Sequence, residues 1–175
     1  PNIGVAAVGT RIAALFYSSG PNNHYLCVSA DNGATWGGST AIGATSGNAS
    51  LRAAGGIAFA FWNFAAVNVC GCDASGAISL RAMPESKIWI AVGSTGAAWV
   101  MLSSTGTAAY SANGTTGWTT SASYATEAAK LPAVPTQVYA VGSRLVAVAT
   151  TGTALATIYS DDGGATWQQG ASYGV

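Results

Sequence analysis

Short apolar runs rich in Val, Ile, Ala and aromatic residues alternate with clusters of Gly, Asn, Ser and Pro along the whole chain. This is the pattern of strands joined by tight turns. Strands are expected near 3–8, 11–17, 24–29 and 34–40, then near 49–54, 56–62, 66–72 and 76–82. Two further sets fall near 88–93, 97–103, 107–111 and 116–121, and near 136–141, 143–149, 154–160 and 164–169. No segment carries a convincing helical period, and 124–131 is the single short helix candidate.

The four sets are copies of one unit. Ser29-Ala30-Asp31-Asn32-Gly33-Ala34-Thr35-Trp36 returns as Ser160-Asp161-Asp162-Gly163-Gly164-Ala165-Thr166-Trp167, and in weaker form as Ser111-Ala112-Asn113-Gly114-Thr115-Thr116-Gly117-Trp118. A degenerate copy, Gly71-Cys72-Asp73-Ala74-Ser75-Gly76-Ala77-Ile78, has Ile78 where Trp would stand. A second mark recurs at Ala7-Val8-Gly9, Ala91-Val92-Gly93 and Ala140-Val141-Gly142, with Ala54-Gly55-Gly56 as the fourth equivalent. The anchors Asp31, Asp73, Asn113 and Asp162 lie about 40 to 50 residues apart, the length of a propeller blade. A lone four-stranded sheet cannot bury both faces, but sheets leaning on one another can. The expected fold is therefore all-β: a β-propeller of four four-stranded antiparallel blades, about 1–42, 43–84, 85–124 and 125–175, alone or as part of a larger ring. The Ala, Gly and Val content of each first strand suits crowding near the axis.

Composition narrows the function classes. Charged residues make up 7% of the chain and the formal net charge is zero, so no basic surface stands ready to neutralise phosphates. Nucleic acid is not an expected partner, nor is an anionic membrane surface. The longest apolar stretch, 57–70, is too short to span a bilayer. No charged segment followed by an apolar one marks a signal peptide, and the start at Pro1 suggests a processed or excised product. Polarity carried by Ser, Thr, Asn and Gln suits an extracellular or virion surface. Three cysteines cannot all pair within the chain, and Cys27, Cys70 and Cys72 are expected as buried free thiols. Asp31-Asn32-Gly33 and Asp161-Asp162-Gly163 lack the later acidic ligands of a calcium loop, so no metal and no cofactor is expected.

The Ser-x-Asp-x-Gly-x-Thr-Trp octapeptide resembles the Asp-box, or BNR, repeat, a blade signature of sialidases and of many non-enzymatic propellers. Ser29, Asp31, Gly33, Thr35 and Trp36 match it, as do Ser160, Asp162, Gly164, Thr166 and Trp167. Ser111, Asn113 and Trp118 match in part, and Asp73 alone marks the second repeat. The resemblance implies a structural turn between the third and fourth strands, with the Asp bonding backbone N–H groups and the Trp packing between sheets. The physical chemistry agrees, since a short acidic side chain caps a turn and Gly takes the unusual dihedral.

In an up-and-down blade these turns share one face with Arg11 and Arg144. The opposite face collects the remaining polar groups: Asn22, Asn23, His24, Asn63, Glu85 and Glu127, with Trp62, Phe64 and Tyr124 beside them. Aromatic platforms next to amides and carboxylates suit a sugar. The same residues admit a plainer reading, with Trp62 in the core, His24 solvated and Glu85-Ser86-Lys87 an ordinary turn.

Sialidases, by resemblance, require three Arg on the substrate carboxylate, a Tyr nucleophile with its Glu, an Asp acid and six blades. Here only Arg11, Arg52, Arg81 and Arg144 exist, two of them on the turn face, and every Asp lies in or next to a repeat turn. Glu85 and Glu127 alone remain for a carboxylate pair. The expectation is a non-catalytic recognition or attachment module that binds a glycan or protein receptor. A glycosidase and an assembly scaffold are the alternatives, and homo-oligomerisation is open.

Overall fold

The computed structural model describes residues 4–43, 49–62 and 66–174. Four antiparallel sheets follow one another along the chain, each built from four strands in sequence order. The first holds β1 (Gly4–Val8), β2 (Arg11–Ser18), β3 (Asn23–Ser29) and β4 (Thr40–Gly43). The second holds β5 (Ala49–Ala54), β6 (Ile57–Trp62), β7 (Ala66–Cys72) and β8 (Ile78–Lys87). The third holds β9 (Trp89–Ser94), β10 (Trp99–Ser103), β11 (Ala108–Ser111) and β12 (Thr119–Thr120). After the short helix α1 (Tyr124–Ala128), the fourth holds β13 (Gln137–Val141), β14 (Arg144–Thr150), β15 (Ala154–Ser160) and β16 (Gln168–Gly174). The chain is thus a β-propeller of four four-stranded blades, as the repeat predicts.

The fourth strands begin later than expected, at Thr40, Ile78, Thr119 and Gln168. Most of each repeat motif is consumed by the turn itself, so pairing starts at the Trp position in blade 2 (Ile78) and past it in the other three. The helix candidate at 124–131 is realised as α1. No described helix is long and apolar enough to cross a membrane.

The first strands β1, β5, β9 and β13 adjoin in that order along the inner edge. Three apolar clusters cement the blades pairwise. Leu15 and Leu26 of blade 1 meet Leu51 and Trp62 of blade 2. Phe59 and Phe61 of blade 2 meet Met101 and Trp118 of blade 3. Val100 and Leu102 of blade 3 meet Leu145, Ile158 and Trp167 of blade 4. Among the described residues no such cluster joins blade 4 to blade 1. Cys27, Cys70 and Cys72 are free and buried, as expected, and burial raises each thiol pKa, that of Cys70 to about 11.

The repeated turns are wired alike. Asp31 Oδ1 accepts from Thr35 N at 2.8 Å, its Oδ2 accepts from Thr35 Oγ1 at 2.6 Å, and Ser29 Oγ accepts from Gly33 N at 2.7 Å. Asp162, Thr166, Ser160 and Gly164 repeat this at 2.9, 2.6 and 2.8 Å. Asn113 Oδ1 accepts from the N–H groups of Thr115 and Thr116, both at 2.9 Å. Asp73 Oδ1 accepts from those of Ser75 and Ala77 at 2.9 and 3.1 Å. Four divergent copies thus share one mechanism, in which a side-chain oxygen gathers turn N–H groups.

Hydrogen bonds from Thr35, helped by Ser29, hold the Asp31 carboxyl down at about 2. Ser75 lowers Asp73, and at Asp162 burial works upward but the Thr166 bonds prevail. A folded-state pKa below the unfolded value contributes stability that is present above the unfolded pKa and lost as pH falls through the folded one. The urea midpoint is therefore expected to decline as pH falls from about 4 toward the Asp31 value of about 2. Asp31→Asn should flatten that decline, while the Asn113 turn is already indifferent to it. A midpoint constant from pH 5 to 2 would contradict this assignment.

Candidate ligand-binding surface

The second, third and fourth repeat turns each lean on the blade before them. A Cβ on Gly114 would stand 2.8 Å from Ile57 Cδ1 of blade 2, and one on Gly164 only 2.1 Å from Val100 Cγ2 of blade 3. Arg11 lies beside Gly76 of the second turn, and Arg144 pairs with Asp161 at 2.7 Å while its guanidinium sits 4.1 Å over the Tyr159 ring. Both arginines therefore lie beside the repeat turns, as expected, and Arg144 is committed there to Asp161.

The expected aromatic platform on the opposite face does not form from Trp62 and Tyr124. Trp62 is buried between blades 1 and 2. Tyr124 is fully buried against Trp167, with ring centroids 5.2 Å apart at 80°, and burial pushes its hydroxyl pKa up. His24 is also buried, tilted against Tyr17 at 5.1 Å, and burial lowers its pKa. Trp62 ends a strand of blade 2, which has a neighbour on each face, so it finds a sheet rather than water, and Tyr124 opens α1 and turns into the cluster between blades 3 and 4. Asn63 and Phe64 lie outside the described residues. Asn22 remains exposed, in a left-handed conformation (φ 53°), and accepts a hydrogen bond from Tyr17 Oη at 2.5 Å, while Asn23 is half-buried.

The two glutamates are engaged in tying elements together. Glu85 pairs with Lys87 at 3.3 Å and accepts from Thr120 Oγ1 at 2.9 Å, which links the outer strands of blades 2 and 3. Glu127 pairs with Lys130 at 2.7 Å and accepts from Gln169 Nε2 at 2.8 Å, which fastens α1 to β16. Lys130 and then Gln169 lower the Glu127 pKa, so this group is a fixed anion rather than a proton donor at neutral pH. Among the described residues, no three His, Cys, Asp or Glu side chains cluster as metal ligands.

A different concavity emerges along the inner edge. Arg52 of β5, Ile90 and Val92 of β9, and Thr136, Gln137 and Tyr139 around β13 enclose about 490 Å³. A second hollow of about 310 Å³, lined by Ser50, Phe61 and Trp89, shares Arg52 as a wall residue. Arg52 is exposed, and no ion pair to it is seen among the described residues. Tyr139 Oη donates to Gln137 Oε1, which presents the amide NH2 of Gln137 as a donor. One cation and several neutral hydrogen-bonding groups thus face a hollow with apolar walls. Sequence reading missed this site because three distant strands build it. Its only trace is a cation within the small-residue run Leu51-Arg52-Ala53-Ala54-Gly55.

No protein-family model matches the chain, and no curated protein matches it. Solved structures do. Apo AztD from Citrobacter koseri superposes with a TM-score of 0.56 at 7% identity, covering 100% of this chain and 47% of that one. YCF48 bound to D1 peptide gives 0.52 at 15%, covering 95% and 51%. The computationally designed Ika4 protein gives 0.59 at 12%, covering 89% of both chains. The chain spans about half the length of AztD and YCF48. At these identities the likeness concerns the fold, and the neighbours are β-propellers.

Proposed function

We propose that the chain is a non-catalytic recognition module whose ligand, a segment of a protein partner, places an acidic group against Arg52 in the inner-edge hollow. The observation that carries this reading is Arg52 itself: an exposed guanidinium flanked by Thr136, Gln137 and Tyr139 over apolar walls. A guanidinium offers a rigid fork of donors matched to a carboxylate. The propeller neighbour YCF48 was solved with a peptide bound, which supports a peptide-sized ligand for this fold. An acidic sugar is the second reading, since Tyr139 and Gln137 also suit hydroxyls. The engagement of Glu85 and Glu127 in ion pairs speaks against a glycosidase pair. The sparse charge supports an extracellular or virion-surface setting.

Arrays of acidic peptides and of glycans, probed with the same protein, separate these readings. Arg52→Ala is expected to weaken the captured ligand roughly 10- to 100-fold, the worth of a charge-assisted hydrogen bond. It should leave the urea midpoint unchanged, because the side chain is exposed. Binding indifferent to Arg52→Ala would move the site elsewhere, and release of sialic acid from a fluorogenic substrate would restore the enzyme.

A further inference from the structure

We infer that two copies of this chain join head to tail, blade 4 of each against blade 1 of the other, to complete one ring. The clearest sign is a tryptophan. Trp118 and Trp167 occupy equivalent positions and are 7% and 3% exposed, each packed against the blade before its own. Trp36, in the best-preserved copy of the same turn, is 43% exposed. Its turn is wired like that of Trp167, so the difference does not lie in the local structure. It lies in the neighbour: among the described residues no blade packs on that side of blade 1.

The two end faces are the separated halves of the interface that recurs three times inside the chain. Strand alternation settles which residues they carry. In β1, Gly4, Ala6 and Val8 turn toward blade 2, which leaves Val5, 62% exposed, on the outer face. The register of β1, β2 and β3 places Ile12, Ala14, Phe16 and Tyr25 on that same side. In blade 4, Val138, Leu145 and Ile158 face blade 3. The opposite face carries Val141, Val146, Leu155 and Tyr173, of which Val141 is 67% and Tyr173 70% exposed. Apolar faces of this extent ordinarily mark an interface.

These faces differ from one another, so each demands the other rather than itself. Among the described residues no turn with its indole covers the outer face of blade 4, and blade 1 carries an uncovered one in Trp36. A heterologous contact of this kind closes a ring when the rotation permits. Two copies would satisfy both ends, with Trp36 of one seated over the Val146 side of blade 4 of its mate. The match of the chain to about half the length of AztD and YCF48 is what half a ring would give.

Native mass spectrometry and sedimentation of the 175-residue chain should find twice 17.3 kDa. A monomer, or an open-ended ladder of larger species, would overturn the two-copy ring. Trp36→Ser and Val141→Glu alter opposite ends at exposed positions, and each alone should give a monomer with an unchanged circular dichroism spectrum. Mixing the two variants should restore a dimer, because one junction of the mixed pair keeps native residues on both sides. If one variant stays dimeric while the other dissociates, the contact is face to itself and the head-to-tail arrangement fails.

Discussion

Trp167→Ala is expected to lower the unfolding free energy by roughly 3–5 kcal/mol, while Trp36→Ala costs less than about 1 kcal/mol. Both comparisons belong in the Val141→Glu background, where association does not enter. Trp167 is 3% exposed and fills the space between blades 3 and 4 beside Val100, Leu102 and Ile158. Its ring edge meets Tyr124, and its Nε1 donates to the Gly164 carbonyl at 3.1 Å. Its backbone N–H donates to Ser123 Oγ at 2.6 Å, so the residue also holds the linker that carries α1. Truncation opens a cavity that two rigid sheets cannot close, and it strips the cover from Tyr124. Trp167→Phe retains the apolar volume and should fall between the two. Equal losses at positions 36 and 167, read from urea unfolding followed by circular dichroism, would mean that the indole acts within its own turn and not between blades.

That contrast also shows what a sequence can and cannot disclose. Trp36 and Trp167 sit in near-identical octapeptides, and the same hydrogen bonds form around both. Local chemistry specifies the turn, so the turn is legible. Burial of the indole is a property of the preceding blade, so it is not. The first three strands of each blade were legible for a similar reason, since their apolar runs and bounding Gly and Asn residues are local. The fourth strands were placed early because Ala34, Thr35 and Trp36 look like strand residues yet serve the turn.

The candidate site was less legible. Trp62 ends a strand whose six residues are all buried, because blade 2 is covered on both sides. In such a strand alternation disappears, and no residue type reveals which side meets solvent. Tyr124 resembled a loop aromatic, yet it opens α1 and turns inward onto Trp167. Arg52 was passed over because its surroundings arrive from β9 and β13, roughly 40 and 85 residues further along the chain. Polar residues near one another in sequence were a poor guide to polar residues near one another in space. The repeat itself implied an inner edge, and a cation on the first strand of a blade was the signal available.

Gly164→Ala should destabilise the chain by about 2–4 kcal/mol, whereas Gly56→Ala should cost only about 1 kcal/mol. Both glycines have positive φ, +100° and +76°, so both substitutions strain the backbone. Only Gly164 is also pressed against another blade. Its added Cβ would meet Val100 Cγ2 at 2.1 Å and Tyr110 Cβ at 3.1 Å, whereas nothing lies within 4 Å of the Gly56 position. The turn cannot back away cheaply. Gly164 N is bound to Ser160 Oγ at 2.8 Å, and Gly164 O accepts from Ser121 Oγ at 2.5 Å and from Trp167 Nε1. The clash must therefore be taken up by Val100, a fully buried residue of β10. Val100→Ala added to Gly164→Ala makes room for the new methyl, so the double variant should be less destabilised than the sum of the two single changes. Strict additivity, or equal losses at positions 56 and 164, would leave only the dihedral cost and would remove the turn from the contact between blades. Rescue by Val100→Ala would identify the repeated turn as the clasp by which each blade grips the one before it.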